Sequence, residues 1–229
     1  MNTETIVNRN EITPIPEGIV GEEWLKENSI EFQKLMTYYN CALMETETKF
    51  KVINEAFKLM GDHNPIDKIE TRLKKTENIL EKLDRRNLPY SIEAIEQNIF
   101  DIAGIRVICA FESDIYKLAD AFMKQDDIQL IERKDYIAEP KRNGYRSLHL
   151  LIRLPIFLYN EKKFMNVEVQ FRTLAMDAWA CLEHKIKYKK NAEISDDINY
   201  NLSECARLSA MFDKRMEEAY KMVGLRSQL

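Results

Sequence analysis

Residues 101–110 read DIAGIRVICA, and the fold turns on how this run is placed. Isoleucine, valine, alanine and cysteine fill it almost without a break, which fits a central strand buried on both faces of a sheet. Such a strand needs neighbours on either side and helices over the layers. Asp101 and Arg106 are the exceptions in the run, because a buried charge is costly unless it is paired or ligated.

Further along, residues 136–151 read YIAEPKRNGYRSLHLL. Pro140, Asn143 and Gly144 are turn formers between two β-rich runs, 127–133 and 147–154, so the segment is expected to be a loop delivered by two strands. Lys141, Arg142 and Arg146 flank Tyr145 there, and His149 follows on the outgoing strand with the parity of Ser147. Cations interleaved with an aromatic suit a phosphorylated, planar ligand, while an exposed basic hairpin is the alternative. Residues 166–172, NVEVQFR, alternate cleanly: Val167, Val169 and Phe171 face one layer, and Glu168, Gln170 and Arg172 the other. Thr173 is placed to cap the helix carrying Asp177, Trp179, His184 and Lys187.

Upstream, residues 66–74 alternate too, with Ile69, Thr71 and Leu73 on one face and Lys68, Glu70, Arg72 and Lys74 on the other. The helix predicted over 76–86 places Lys82, Arg85 and Arg86 together by three- and four-residue spacing. If it follows the strand directly, these cations converge near one sheet edge; a solvated helix face is the competing explanation. Ser113 is expected to cap an amphipathic helix reaching about Lys124. The apolar spacing over 22–60 predicts two antiparallel or bent helices ended by Gly61, preceded by an arm over 1–21. Residues 194–223 read as a long amphipathic helix free for packing or subunit contacts. The chain is expected to divide into N-terminal arm and helices (1–60), a central domain (61–190) that holds the candidate site, and a C-terminal helix (191–229).

Composition narrows the function. With 229 residues and 45% hydrophobic content the chain can bury a full core. Gly 6 and Pro 6 argue against long linkers and for helices with a compact sheet. A net charge of -4 disfavours a general nucleic-acid-binding surface, so basicity is a property of a site. The four cysteines, Cys41, Cys109, Cys181 and Cys205, suggest neither a disulfide framework nor a zinc site, and Cys181 with His184 is too small a ligand set. No apolar run approaches the ~20 residues of a membrane span, and the protein is expected in the cytoplasm.

Taken together, RLK at 72–74, DIAGIRV, NGYRSLH, EVQFRT and AMDAWACLEHKIKYK resemble the synthetase domain of the RelA/SpoT family, and most closely its stand-alone small alarmone synthetases. The resemblance covers residues 66–190 or so. It implies an α/β (α+β), nucleotidyltransferase-like fold, a mixed sheet flanked by helices, that moves pyrophosphate from ATP to the 3′-hydroxyl of GDP or GTP. On that resemblance Arg72 and Arg106 would sandwich adenine, and Lys74, Lys82 and Arg85 would neutralise the ATP phosphates. Asp101 would hold Mg²⁺, and Glu168 would take the 3′-hydroxyl proton and touch the metal. Tyr145 would stack on guanine, with Tyr145→Phe nearly silent; Lys141 and His149 would lie near the acceptor phosphates, and Asp177 would help select guanine. The resemblance also implies a homotetramer and, without a His-Asp dipeptide, synthesis without hydrolysis. The alternative is a catalytically silent guanine-nucleotide-binding regulator on the same fold. An RNA nucleotidyltransferase is disfavoured, since no D-x-D pair of metal-binding carboxylates stands out.

Overall fold

A computed structural model describes residues 21–59, 63–187 and 195–226. The expected arm over 1–21, except Gly21 itself, which begins a helix, the Gly61 stop and the divisions after residues 60 and 190 lie outside these.

The chain opens with α1 (Gly21–Glu27) and α2 (Ser29–Leu59). The two expected helices are unequal: the second is long, because Phe32, Leu35, Tyr39, Ala42, Leu43, Thr46 and Phe50 keep one face at helical spacing without interruption. The break falls earlier, at Asn28, whose side-chain amide donates to the Trp24 carbonyl at 2.9 Å. There follow β1 (Ile66–Leu73), α3 (Thr76–Arg85), α4 (Ile92–Asn98), β2 (Ala103–Cys109) and α5 (Glu112–Met123). Then come β3 (Gln129–Asp135), β4 (Leu148–Phe157), β5 (Lys162–Thr173), α6 (Leu174–Lys187) and α7 (Asp196–Arg226). Helix α4, absent from the sequence reading, is capped by Ser91, whose hydroxyl accepts from the Ala94 N–H at 3.1 Å. Ser113 does not cap α5: Phe111 holds that position, and Ser113 sits inside the first turn with its hydroxyl bonded to Glu217.

The five strands form one mixed sheet in the order β1-β2-β5-β4-β3. Strands β2 and β5 run parallel, and the other neighbours are antiparallel. One face carries Ile105, Val107, Leu148, Leu150, Ile152, Val167, Val169 and Phe171, all at most 1% exposed. Helix α2 closes over it, with Phe50 stacked on Phe122 at 4.3 Å and edge-on to Phe171 at 5.6 Å. The opposite face of β2 is covered only at its end, at Ile108, which corrects the expectation of a strand buried on both sides throughout. Gly104 and Arg106 open there onto a cleft, in register with Arg72 and Glu70 of β1 and with Glu168 and Gln170 of β5. Gly104 leaves room above the strand, since an added Cβ would meet only the Arg72 carbonyl, at 3.7 Å. Arg106 is half-buried, and its charge is paired across the cleft.

Candidate active site

Strand alternation places Glu168, Gln170 and Arg172 on the open face of β5, beside Gly104 and Arg106 of β2 and His149 and Leu151 of β4. Two cavities open on this face. The first, of about 190 Å³, is lined by Asp101, Lys82, His149, Lys134 and Glu168 among others. The second, of about 650 Å³, is lined by Arg72, Gly104, Arg106, Gln170, Arg172 and again Glu168. Glu168 therefore stands where the two meet.

Asp101 precedes β2 in a turn, and its carboxylate receives Lys82 at 2.7 Å and Lys74 at 3.0 Å. Lys74 is fixed just past β1 by its backbone N–H, which donates to the Ile102 carbonyl at 2.8 Å. Burial pushes the Asp101 carboxyl up, but the two ammoniums outweigh it and hold the group below its ordinary range. Glu168 behaves alike: burial pushes it up, yet His149 and the Gln170 amide pull it below the ordinary range against the nearby charge of Asp101. His149 Nδ1 lies 3.4 Å from Glu168, and Gln170 donates to it at 2.9 Å. Both carboxylates are ionised at neutral pH.

The loop that carries Tyr145 is held from three sides. Tyr145 packs on Trp179, Leu202 and Ala206 of α6 and α7. Its hydroxyl meets His149 Nε2 at 2.9 Å and accepts from Arg172 at 2.9 Å. Gly144 has φ +85°, and a Cβ there would fall 2.4 Å from the Ala206 Cβ, so the turn needs glycine for backbone and space alike. Arg146, read as part of the basic loop, points away from the cleft. It pairs with Glu112 of α5 and, at 3.4 Å, with Asp213 of α7, which also accepts from the Thr173 hydroxyl at 2.9 Å. Thr173 caps α6 as expected, accepting from the Met176 N–H at 3.1 Å.

The structure thus brings Asp101, Glu168, His149, Lys74 and Lys82 around one point, and Arg72 with Arg106 around the adjoining cavity. Lys141, Tyr145 and Asp177 line neither cavity. Tyr145 and Asp177 join their walls through Arg172, while Lys141 lies over the rings of Tyr136 and Tyr145 at 4.4 and 4.9 Å. Arg85 is exposed and lines neither cavity. Arg86 lines the first instead, donating to the Asn98 carbonyl at 2.6 Å, because the chain leaves the helix at that residue. Not assigned to the site from the sequence were Lys134, Glu70, Gln170 and Arg172, although strand parity already set Gln170 and Arg172 beside Glu168 and Glu70 beside Arg72. Lys134 was lost because β3 lies two residues further along than read.

Asp101 and Glu168 are the two carboxylates that could hold a metal where the first cavity meets the second; Glu132 and Glu70, also on the cavity walls, pair with Lys134 at 2.8 Å and with Arg106 at 3.0 Å. No group of three or more His, Cys, Asp or Glu side chains converges as a metal cage among the described residues. Two carboxylates facing a cation-lined cavity fit Mg²⁺, which takes one or two protein oxygens and completes its shell with substrate phosphates and water. No helix among the described residues is long and apolar enough to cross a membrane.

Comparison with known proteins matches residues 71–193 to the region found in RelA / SpoT proteins. GTP pyrophosphokinase YwaC of Bacillus subtilis (strain 168) is 39% identical over 197 residues, 86% of this chain and 90% of the relative. GTP pyrophosphokinase YjbM of the same organism is 33% identical over 189 residues, 82% of this chain and 88% of the relative. Among solved structures, small alarmone synthetase 1 from Bacillus subtilis bound to its product pppGpp superposes with a TM-score of 0.76 at 33% identity, covering 84% of this chain and 98% of that one. With the cleft, its paired carboxylates and these likenesses in agreement, the chain belongs to the RelA/SpoT family.

Proposed function

We propose that this protein is a GTP pyrophosphokinase, transferring the β,γ-pyrophosphoryl group of ATP to the 3′-hydroxyl of GDP or GTP. The observation that carries the reading is the position of Glu168, ionised and shared by both cavities. A donor nucleotide in the second cavity and an acceptor ribose in the first would meet at that carboxylate. In the second cavity Arg72 and Arg106 flank Gly104, which has no side chain of its own, and two guanidiniums beside such a gap suit adenine. The ATP phosphates then run toward Lys74 and Lys82, which are placed to exchange Asp101 for phosphate oxygens. Tyr145 offers its ring to guanine at the far wall, with Lys141 and His149 beside the acceptor.

The acceptor 3′-oxygen forms a bond to the β-phosphorus while the bond from that phosphorus to the α–β bridging oxygen breaks, and AMP leaves. Glu168 receives the hydroxyl proton, and His149 and Gln170 keep its carboxylate oriented. Asp101 and Glu168 would hold Mg²⁺. When bound, the ion supplies positive charge at the reacting phosphates. Both carboxylates face the cavity, so nothing favours the silent regulator.

The exposed apolar residues Leu208, Met211, Phe212 and Met216 of α7, with Ile30, Met44 and Val52 of α2, support assembly into a homotetramer. ATP and guanine nucleotides as substrates, and four unpaired cysteines, support a reducing cytoplasmic setting. The test is incubation with labelled ATP, GDP or GTP, and Mg²⁺, followed by chromatography. A pyrophosphorylated guanosine nucleotide should form in step with AMP. Release of ADP and phosphate without that product would contradict the proposal.

A further inference from the structure

Arg172 was given no part in the reaction above, yet it is the most connected side chain between the two nucleotide walls. It is 6% exposed. One guanidinium nitrogen donates to Asp177 at 2.9 Å; the other donates to the Tyr145 hydroxyl at 2.9 Å and to Gln170 at 3.2 Å. Its plane also lies 5.3 Å from the centre of the Tyr145 ring. On the other side, the same Asp177 oxygen lies 3.3 Å from Arg106, which Glu70 holds at 3.0 Å. One carboxylate oxygen is thus shared by an arginine that sets the acceptor platform and an arginine that forms the donor wall. From Arg172 two routes return to Glu168, one through Tyr145 and His149 and one through Gln170.

We propose that Arg172 is a positioning residue that couples the donor and acceptor pockets through the carboxylate it shares with Arg106. This rests on the assignment of those pockets made above. The physical argument is one of ordering. Adenine on Arg106 fixes that guanidinium against Glu70 and Asp177; a fixed Asp177 fixes Arg172, and Arg172 fixes the ring on which guanine stacks. Whichever nucleotide arrives first immobilises the other's wall, so the second binds a site already in place. Linkage requires the effect to be equal in both directions. The Nε atoms of Arg106 and Arg172 are both buried without a partner, so each guanidinium is oriented by its outer nitrogens alone, Arg106 by Glu70 and Asp177, and Arg172 by Asp177, Tyr145 and Gln170.

The test measures GDP binding by calorimetry with and without Mg²⁺ and AMPCPP, whose methylene group replaces the α–β bridging oxygen and blocks transfer. The parent should bind GDP about 5-fold or more tighter when AMPCPP is present, the lower end of typical coupling. In Arg172→Gln the ratio should fall to about one, and Arg172→Lys, which keeps the charge but not the fork, should fall between. Should Arg172→Gln fail to fold, Asp177→Asn, which keeps the shape and removes the shared charge, should also bring the ratio to about one. A merely structural arginine would weaken GDP binding equally with and without AMPCPP. An unchanged ratio in the folded variants, or no coupling in the parent, overturns the proposal. A parent that forms product but shows no coupling leaves the pyrophosphokinase standing, whereas absence of product removes the pyrophosphokinase itself.

Discussion

At Tyr145 the structure adds a bound hydroxyl to the ring proposed for guanine. That hydroxyl lies between Arg172 and His149, so Tyr145→Phe, nearly silent if only the ring mattered, leaves a buried guanidinium short of an acceptor. Steady-state kinetics should show the acceptor KM of Tyr145→Phe raised about 5-fold or more, and that of Tyr145→Ala about 5- to 150-fold, the range of one lost base stack. An acceptor KM unchanged in Tyr145→Phe would remove the hydroxyl from the site. Asp101 gives a prediction in pH. Its carboxyl is held below the ordinary value in the folded protein, so it contributes stability above that value and loses it as pH falls through the lowered one. Thermal melting of the parent between about pH 5 and pH 2 should therefore fall more steeply than that of Asp101→Asn. Parallel curves would mean that Lys74 and Lys82 do not stabilise the ionised form. Glu168, Arg72 and Lys74 could be placed on the cleft from strand parity and Lys82 from helical spacing, while Arg106 stood out as a charge within an apolar run. Arg85 could not be separated from Arg86, since helical spacing says nothing about where the helix ends.

Helix α7 shows what periodicity leaves out. Its apolar stripe predicts a helix that packs somewhere, and only the folded chain shows that Leu202 and Ala206 seat the acceptor loop while Asp213 ties Thr173 and Arg146 together. A contact between residues some sixty positions apart leaves no local mark on either segment. Strand β2 teaches a related lesson: an almost continuous apolar run implied two covered faces, but Gly104 and Arg106 were enough to give one face to the cleft. Gly144→Ala tests the loop's dependence on α7, because it meets both a left-handed backbone and the Ala206 methyl. It should lower stability by about 1–3 kcal/mol, the usual scale of a strained backbone, and raise the acceptor KM more than that for ATP. Adding Ala206→Gly should recover part of the loss by removing the clash but not the backbone strain. A single variant as stable and active as the parent would show that the loop does not lean on α7.

For the molecule as a whole, sheet order and helix placement follow from one requirement: a single polar face must bring two nucleotides together while the other face builds the core. The exposed apolar side of α7 is where the proposed homotetramer would make its contacts, so Phe212→Glu should lower the assembly mass seen by light scattering while the fold persists; an unchanged mass would place the contacts elsewhere. The account stands or falls on Glu168, where the cavities meet. Its most direct test is turnover of Mg²⁺, ATP and GDP by Glu168→Gln, with nucleotide binding measured in parallel. The amide keeps the shape and loses the base, so GDP and ATP should still bind while kcat falls by about 10² to 10⁴. Formation of the guanosine product at the parental rate would contradict the account.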